Sequence, residues 1–172
     1  MSTKEKHILE PDLALSAQIV VVSDSLSAAG SKRWRKLDKS AKRAEQILKN
    51  RQITLSTPIV VPDDIEHIQR SVSKALELKT NLIITIGGTG VAKRDVTIEA
   101  IRPLLEKELI GFGELFRQKT YQEVGTVSIM TRTLAGVAQK SCVVCLPGSP
   151  DAVILGLKLI LEELLHIINL RG

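Results

Sequence analysis

The sequence predicts a three-layer, doubly wound α/β fold, a mostly parallel sheet with helices on both faces. Short β-branched apolar runs alternate with stretches of helical period, the pattern of right-handed βαβ units. Three of the runs, residues 18–22, 82–86 and 141–146, end in small polar loops at Ser23-Asp24, at Gly87-Gly88-Thr89-Gly90 and at Pro147-Gly148-Ser149. In parallel sheets such loops share the carboxyl-end edge, where ligands bind. At 172 residues and 44% hydrophobic composition, the chain can bury one sizeable core. A single domain over 17–172 is expected, with a tail over 1–16 in which charges and Pro11 follow no period.

The first strand, 18–22, runs into Ser23-Asp24-Ser25 and a loop with Gly30. From 32 to 51 the chain is basic: Lys32, Arg33, Arg35, Lys36, Lys39, Lys42, Arg43, Lys49 and Arg51 against Asp38 and Glu45. Such a run is read as a solvated face first and as phosphate steering second. A helix capped near Asp38 should bury Ala41, Ala44, Ile47 and Leu48. Residues 53–61 form a strand region that Pro58 places at an edge or interrupts. Asp63, with Glu66 three residues on, resembles a capping box for a helix burying Ile65, Ile68, Val72, Ala75 and Leu76.

Residues 82–86 form the central strand. Beyond it, Gly87, Gly88 and Gly90 leave backbone N–H groups open to a ligand, Thr89 adds a hydroxyl, and Lys93 and Arg94 set two cations beside Asp95. Thr97 is the expected N-cap of the next helix, with Glu99 in its first turn. Residues 96–109 read as mostly helical, kinked or divided by Pro103. Gly111 and Gly113 punctuate a segment holding Phe112, Phe116 and Tyr121, assigned to the core or a subunit contact ahead of heterocycle stacking. Residues 126–136 fit helix or strand, and Thr131 and Arg132 are pocket candidates. In the strand 141–146, Cys142 and Cys145 point to opposite faces, so buried thiols are favoured over a redox or zinc pair. Ser149 as N-cap and Pro150 at the first helical position start a final helix that is apolar almost all round. Its cover is expected from the sheet and a second subunit.

A net charge of +5 and a pI near 9.3 suit an acidic ligand such as phosphate. Four aromatics are too few for a base-stacking surface, which argues against nucleic acid. The longest apolar segment, 152–165, is broken by Lys158, Glu162 and Glu163, so no membrane anchor is expected and the protein is read as cytoplasmic. His7, His67 and His166 lack metal-ligand spacing. Neither a P-loop nor a G-x-G-x-x-G fingerprint is present, and no Ser-His-Asp system is visible.

The segments Gly87-Gly-Thr-Gly90, Arg94-Asp-Val-Thr97, Gly111-Phe-Gly-Glu114, Ala135-Gly136 and Leu146-Pro-Gly-Ser-Pro150, with Val22-Ser-Asp-Ser25 and Val61-Pro-Asp63, resemble the MoaB/MogA family of molybdenum cofactor biosynthesis proteins. The likeness runs from about Gln18 to the end. It implies a Rossmann-like, molybdopterin-binding fold and molybdopterin adenylyltransferase activity, in which the terminal phosphate of molybdopterin attacks the α-phosphate of Mg-ATP and pyrophosphate leaves. By resemblance, Asp95 matches the family's catalytic aspartate and Asp63 the aspartate tied to the pterin. A carboxylate beside triphosphate needs a cation between them, so Asp95 is the Mg²⁺-side residue. ATP and molybdopterin are the implied substrates. The binding set is Ser23, Asp24, Gly87, Gly88, Thr89, Gly90, Arg94, Thr131, Arg132, Pro147, Gly148 and Ser149. The resemblance also implies a homotrimer, with a hexamer as the alternative, and leaves room for contacts with other cofactor-biosynthesis proteins. A non-catalytic carrier or scaffold relative is the competing reading. Four departures stand out: Ala41 replaces the glycine of an Asp-x-Ser-Gly segment, Lys93 and Ile98 replace frequent prolines, and Thr131 replaces a serine.

Overall fold

The computed structural model of the chain describes residues 14–30 and 34–170. Lys32, Arg33 and the tail up to residue 13 lie outside the described residues. Strand β1 (Ser16–Val22) starts two residues earlier than expected, because Ser16 N–H donates to Asn81 Oδ1 at 2.9 Å and ties the two strand starts together. After α1 (Asp24–Ala28) and α2 (Trp34–Leu37), helix α3 (Lys39–Asn50) is capped as expected by Asp38. The region around Pro58 is indeed interrupted, into β2 (Thr54–Leu55) and β3 (Ile59–Val61), both pairing with β1. Helix α4 (Ile65–Glu77) leads to β4 (Leu82–Ile86), and β7 (Ser141–Leu146) to α7 (Pro150–Asn169).

The sheet has seven strands in the order β2-β1-β4-β7-β6-β5, where β5 is Lys107–Glu108 and β6 is Leu134–Ala138, with β3 also on β1. Pairing is parallel from β2 to β7 and antiparallel at β7-β6-β5. Ile86 aligns with Val21 on one side and Leu146 on the other, so the loops after β1, β4 and β7 lie side by side. One face packs on α3, α7 and α6 (Ile110–Val124), and the other on α4 and α5 (Thr97–Ile101). Cys142 falls in the first core and Cys145 in the second, and burial pushes both thiols up to about 12. They are structural side chains.

Three expectations change and one ambiguity resolves. The helix expected over 96–109 stops at Ile101. Pro103 lies in a single 3₁₀ turn (Arg102–Leu104), Leu105 is extended, and β5 follows. Gly111 and Gly113 sit inside α6, where Phe112 and Phe116, one turn apart with ring centroids at 6.1 Å, are buried and outweigh glycine's poor helix propensity. Tyr121 on the same helix is 58% exposed and belongs to no intrachain core. Ile65, at the first position of α4, faces solvent at 44% exposure rather than lining the buried face. The ambiguous 126–136 resolves into a 3₁₀ segment (Gly125–Met130) followed by β6. Among the described residues no helix is long and apolar enough to cross a membrane.

Candidate functional site

Three cavities meet over the carboxyl ends of β1, β4 and β7. The first, about 500 Å³, is lined by Ser23, Asp24, Asp63, Gly88, Arg94 and Asp95 among others. The second, about 390 Å³, lies between Leu26, Asp38, Ser40, Ile86, Gly87 and Gly148. The third, about 380 Å³, runs along the glycine loop past Asp95, Thr131, Arg132 and Pro147, with Val127 and Met130 as its apolar side. Each pair shares residues: Val22 and Ser23, Gly88 and Asp95, Gly87 and Gly148. The result is one groove of three arms centred on Gly87 and Gly88.

The centre is built by close backbone approach. Gly87 and Gly88 have φ of +101° and +62°, and a Cβ on Gly87 would lie 2.4 Å from Val22 O. Thr97 fixes the loop from below: its N–H donates to Gly88 O at 2.9 Å and its hydroxyl to Gly87 O at 2.9 Å. This corrects the expected N-cap, since α5 starts at Thr97 itself and Val96 precedes it without a side-chain cap. Gly90 also departs from the notion of a uniformly left-handed loop. It lacks a positive φ, and its need is room, because a Cβ there would lie 2.6 Å from Asp95 Oδ2. Thr89 is buried, while Asp95 is half-buried, with Oδ2 accepting the Ala92 N–H at 2.8 Å.

Asp63 does not cap α4. Asp64 does, accepting the His67 N–H at 3.0 Å, which frees Asp63 for the groove. There Asp63 and Asp24 exchange hydrogen bonds: Asp24 N–H donates to Asp63 Oδ2 at 2.9 Å and Asp63 N–H to Asp24 Oδ1 at 3.0 Å. The loops after β1 and β3 are thereby cross-tied. Partial burial pushes the Asp63 carboxyl above the ordinary aspartate range, and the Asp24 and Asp95 carboxylates add to this, while the Asp24 N–H and Arg94 pull the other way. Arg94 is exposed at the rim of the same cavity.

Arg132 is already engaged: one Nη donates to Gly90 O at 3.1 Å and the other pairs with Glu99. It braces the glycine loop from the third arm. Ser149 lines none of the three cavities; its hydroxyl accepts the Ala152 N–H at 3.2 Å and caps α7. The other predicted site residues all line the groove.

A family model described as "Probable molybdopterin binding domain" matches residues 18–166. The chain belongs to this molybdopterin-binding family. It is 40% identical over 172 residues to the molybdenum cofactor biosynthesis protein B of Bacillus subtilis, covering 98% of this chain and 96% of that one. Among solved structures, a molybdenum cofactor biosynthesis protein B superposes with a TM-score of 0.83 at 37% identity, over 92% of this chain and 96% of the other. The tungsten cofactor synthesizing protein MoaB of Pyrococcus furiosus gives 0.81 at 36% identity, over 92% and 98%. The α/β fold with its mostly parallel mixed sheet is thus the family's.

Within this family fold, sequence reasoning missed part of the groove: Leu26, Ile86, Val127 and Met130 carry no chemical signature and enter by topology alone. The sequence marks Asp38 and Ser40 only as a helix start and a family segment. The structure puts them on the wall of the second arm, with Ser40 Oγ donating to Gly148 O at 2.7 Å. Ala41 is 2% exposed in the core beneath α3 and lines no part of the groove, so its departure from glycine leaves the arm open.

Proposed function

We propose that the protein works in molybdenum cofactor biosynthesis as a molybdopterin adenylyltransferase in the cytoplasm, as a homo-oligomer. One observation carries this reading: two largely separate arms converge on a charged centre holding Asp24, Asp63, Arg94 and Asp95. Joining two organic molecules through phosphates requires such a plan, because both phosphate ends must meet while the rings stay apart.

Phosphoryl chemistry asks the protein for positioning and charge compensation more than for a side-chain nucleophile. The bare loop from Gly87 to Gly90 brings backbone close to a phosphate chain, and Arg94 at the rim offsets its charge. Among the described residues no three carboxylate, histidine or cysteine side chains gather into a metal cage. That donor set still fits Mg²⁺, which binds through one or two carboxylates plus substrate phosphates. Asp95 would hold it, and the ion would neutralise the phosphate charge that the carboxylate otherwise repels. Asp63, tied at Oδ2, keeps Oδ1 turned toward Gly88, whose absent Cβ would lie 2.8 Å away. In the reaction an oxygen of the molybdopterin phosphate bonds to the α-phosphorus of ATP, and the bond from that phosphorus to the bridging oxygen breaks, releasing pyrophosphate.

The test is incubation with molybdopterin and Mg-ATP, scored for adenylylated molybdopterin and pyrophosphate in equal amounts. Binding of both substrates without product would instead establish the carrier reading.

A further inference from the structure

Three carbonyls of the glycine loop are tied back to protein donors. Gly88 O accepts the Thr97 N–H and Gly87 O the Thr97 hydroxyl, both at 2.9 Å, and Gly90 O accepts an Arg132 Nη at 3.1 Å. The N–H groups of Gly88, Thr89 and Gly90 donate to no acceptor among the described residues. The loop therefore has a fixed polarity, with these carbonyls engaged and the N–H groups open. Thr97 supplies its part from the start of α5. Arg132 reaches the loop from elsewhere in the chain, and its other Nη pairs with Glu99 in the first turn of α5. With side chains 31% and 48% exposed, Arg132 and Glu99 are too open for the pair to stabilise the fold much by itself. What it does is fix a guanidinium against one carbonyl.

We infer that Glu99 and Arg132 are positioning residues that set the polarity of the glycine loop, Glu99 acting through Arg132 to hold the Gly90 carbonyl away from a bound phosphate chain. The inference rests on the reading that phosphates reach this loop, and it gives neither residue a step in the transfer. It also replaces the expectation that Arg132 binds substrate, since both of its Nη groups are engaged, one by a carbonyl and one by a carboxylate. Without the brace, the Gly90 peptide can rotate and turn its carbonyl oxygen, a partial negative charge, toward the phosphates. Asp95 is coupled to the same peptide. The position of a Gly90 Cβ lies only 2.6 Å from Asp95 Oδ2, so a Gly90 that moves disturbs the carboxylate beside it.

The experiment is calorimetric titration of the full chain with Mg-ATP, well below the denaturation midpoint measured on the same preparations. A brace and a direct phosphate ligand predict opposite signs at Glu99. Removing this carboxylate takes a negative charge away from an anion site and frees Arg132, so a direct ligand would make Glu99→Ala bind Mg-ATP as tightly as wild type or more tightly. Through the brace, Glu99→Ala is expected to bind about tenfold more weakly, the scale of one charge-assisted hydrogen bond, with the midpoint little changed. Arg132→Ala is expected to lose about as much, and the double variant no more than Arg132→Ala alone, because Glu99 acts only through Arg132. Should Glu99→Ala fold poorly, Glu99→Gln, which keeps an acceptor but not the charge, is expected to show a smaller loss in the same direction. Unchanged or raised affinity in a folded Glu99 variant, additive losses in the double variant, or a wild-type chain that binds no Mg-ATP would each overturn the inference. Weaker binding in the Glu99 variants of a chain that forms no adenylylated molybdopterin would leave the brace standing and remove the reaction. Product formation with wild-type binding in those variants would do the reverse.

Discussion

Asp95 and Asp63 line one cavity but differ in what holds them. Asp95 rests on the Ala92 N–H, a contact that asparagine can keep through its carbonyl oxygen. Asp95→Asn is therefore expected to lower adenylyl transfer by about a hundredfold or more, with the melting temperature nearly unchanged. Turnover and thermal denaturation measured on the same preparation check it, and wild-type turnover would refute the assigned role. Gly90→Ala tests the same carboxylate from outside, because the new Cβ must displace Asp95 Oδ2 from 2.6 Å. A partial loss of turnover with fold retained is expected. For Asp63 the pKa lies above the ordinary aspartate range, so the native state binds its proton more readily than the unfolded state. Its effect on stability is absent well below about pH 4 and becomes a cost as pH rises through the native pKa. Asp63→Asn is expected to gain stability relative to wild type between acid and neutral pH, while losing turnover; a stability difference independent of pH would contradict this. The cation pair beside Asp95 made that residue legible in the sequence. Asp63 was misread as a cap because Asp64 beside it has the same side chain, and only the backbone direction decides which one reaches the helix.

That misreading becomes testable at the level of the elements. Asp64→Ala removes the cap of α4 and is expected to lower the denaturation midpoint, while Asp64→Asn leaves it nearly unchanged. Both variants should keep turnover, and chemical denaturation beside the activity assay checks it. The α7–sheet contact gives a second case. Gly156 is buried against Leu146, itself fully buried, and a Cβ at Gly156 would lie 2.2 Å from Leu146 Cδ2. Gly156→Ala is expected to destabilise the protein by about 1–3 kcal/mol through overpacking, despite alanine's better helix propensity. A more stable variant would show that α7 can shift outward. The strands β1, β4 and β7 and the helices α3, α4 and α7 were legible because their apolar periods are regular and their caps local. Residues 96–136 were not. Lys107–Glu108 is two charged, exposed residues that become a strand only by pairing with β6, and α6 carries two glycines that Phe112 and Phe116 override from the core. Those decisions are tertiary, and no window of sequence contains them.

For the whole molecule, surplus apolar surface was expected on the final helix. The structure places most of it elsewhere. Leu155, Leu159, Leu161 and Ile167 of α7 are partly buried against the core under α3 and α6. Ile110, Leu115, Tyr121, Val124, Val127, Ile129 and Met130 are exposed, and all seven fall on α6 or the 3₁₀ segment after it. Scattered single apolar residues need no partner, but a run confined to two consecutive elements is where an association surface is expected. If that surface joins copies of this chain, Val124→Asp is expected to convert the oligomer to monomer, since the introduced carboxylate would be buried without a counter-charge. Val124 is the apt position because it lies outside the groove, whereas Val127 and Met130 line its third arm and would confound assembly with ligand contact. Leu170→Asp, at the far end of α7 and 73% exposed, is the control that should leave the assembly intact. Light scattering across a concentration series reads both. A wild-type chain that stays monomeric throughout would rule out self-association through the α6 surface.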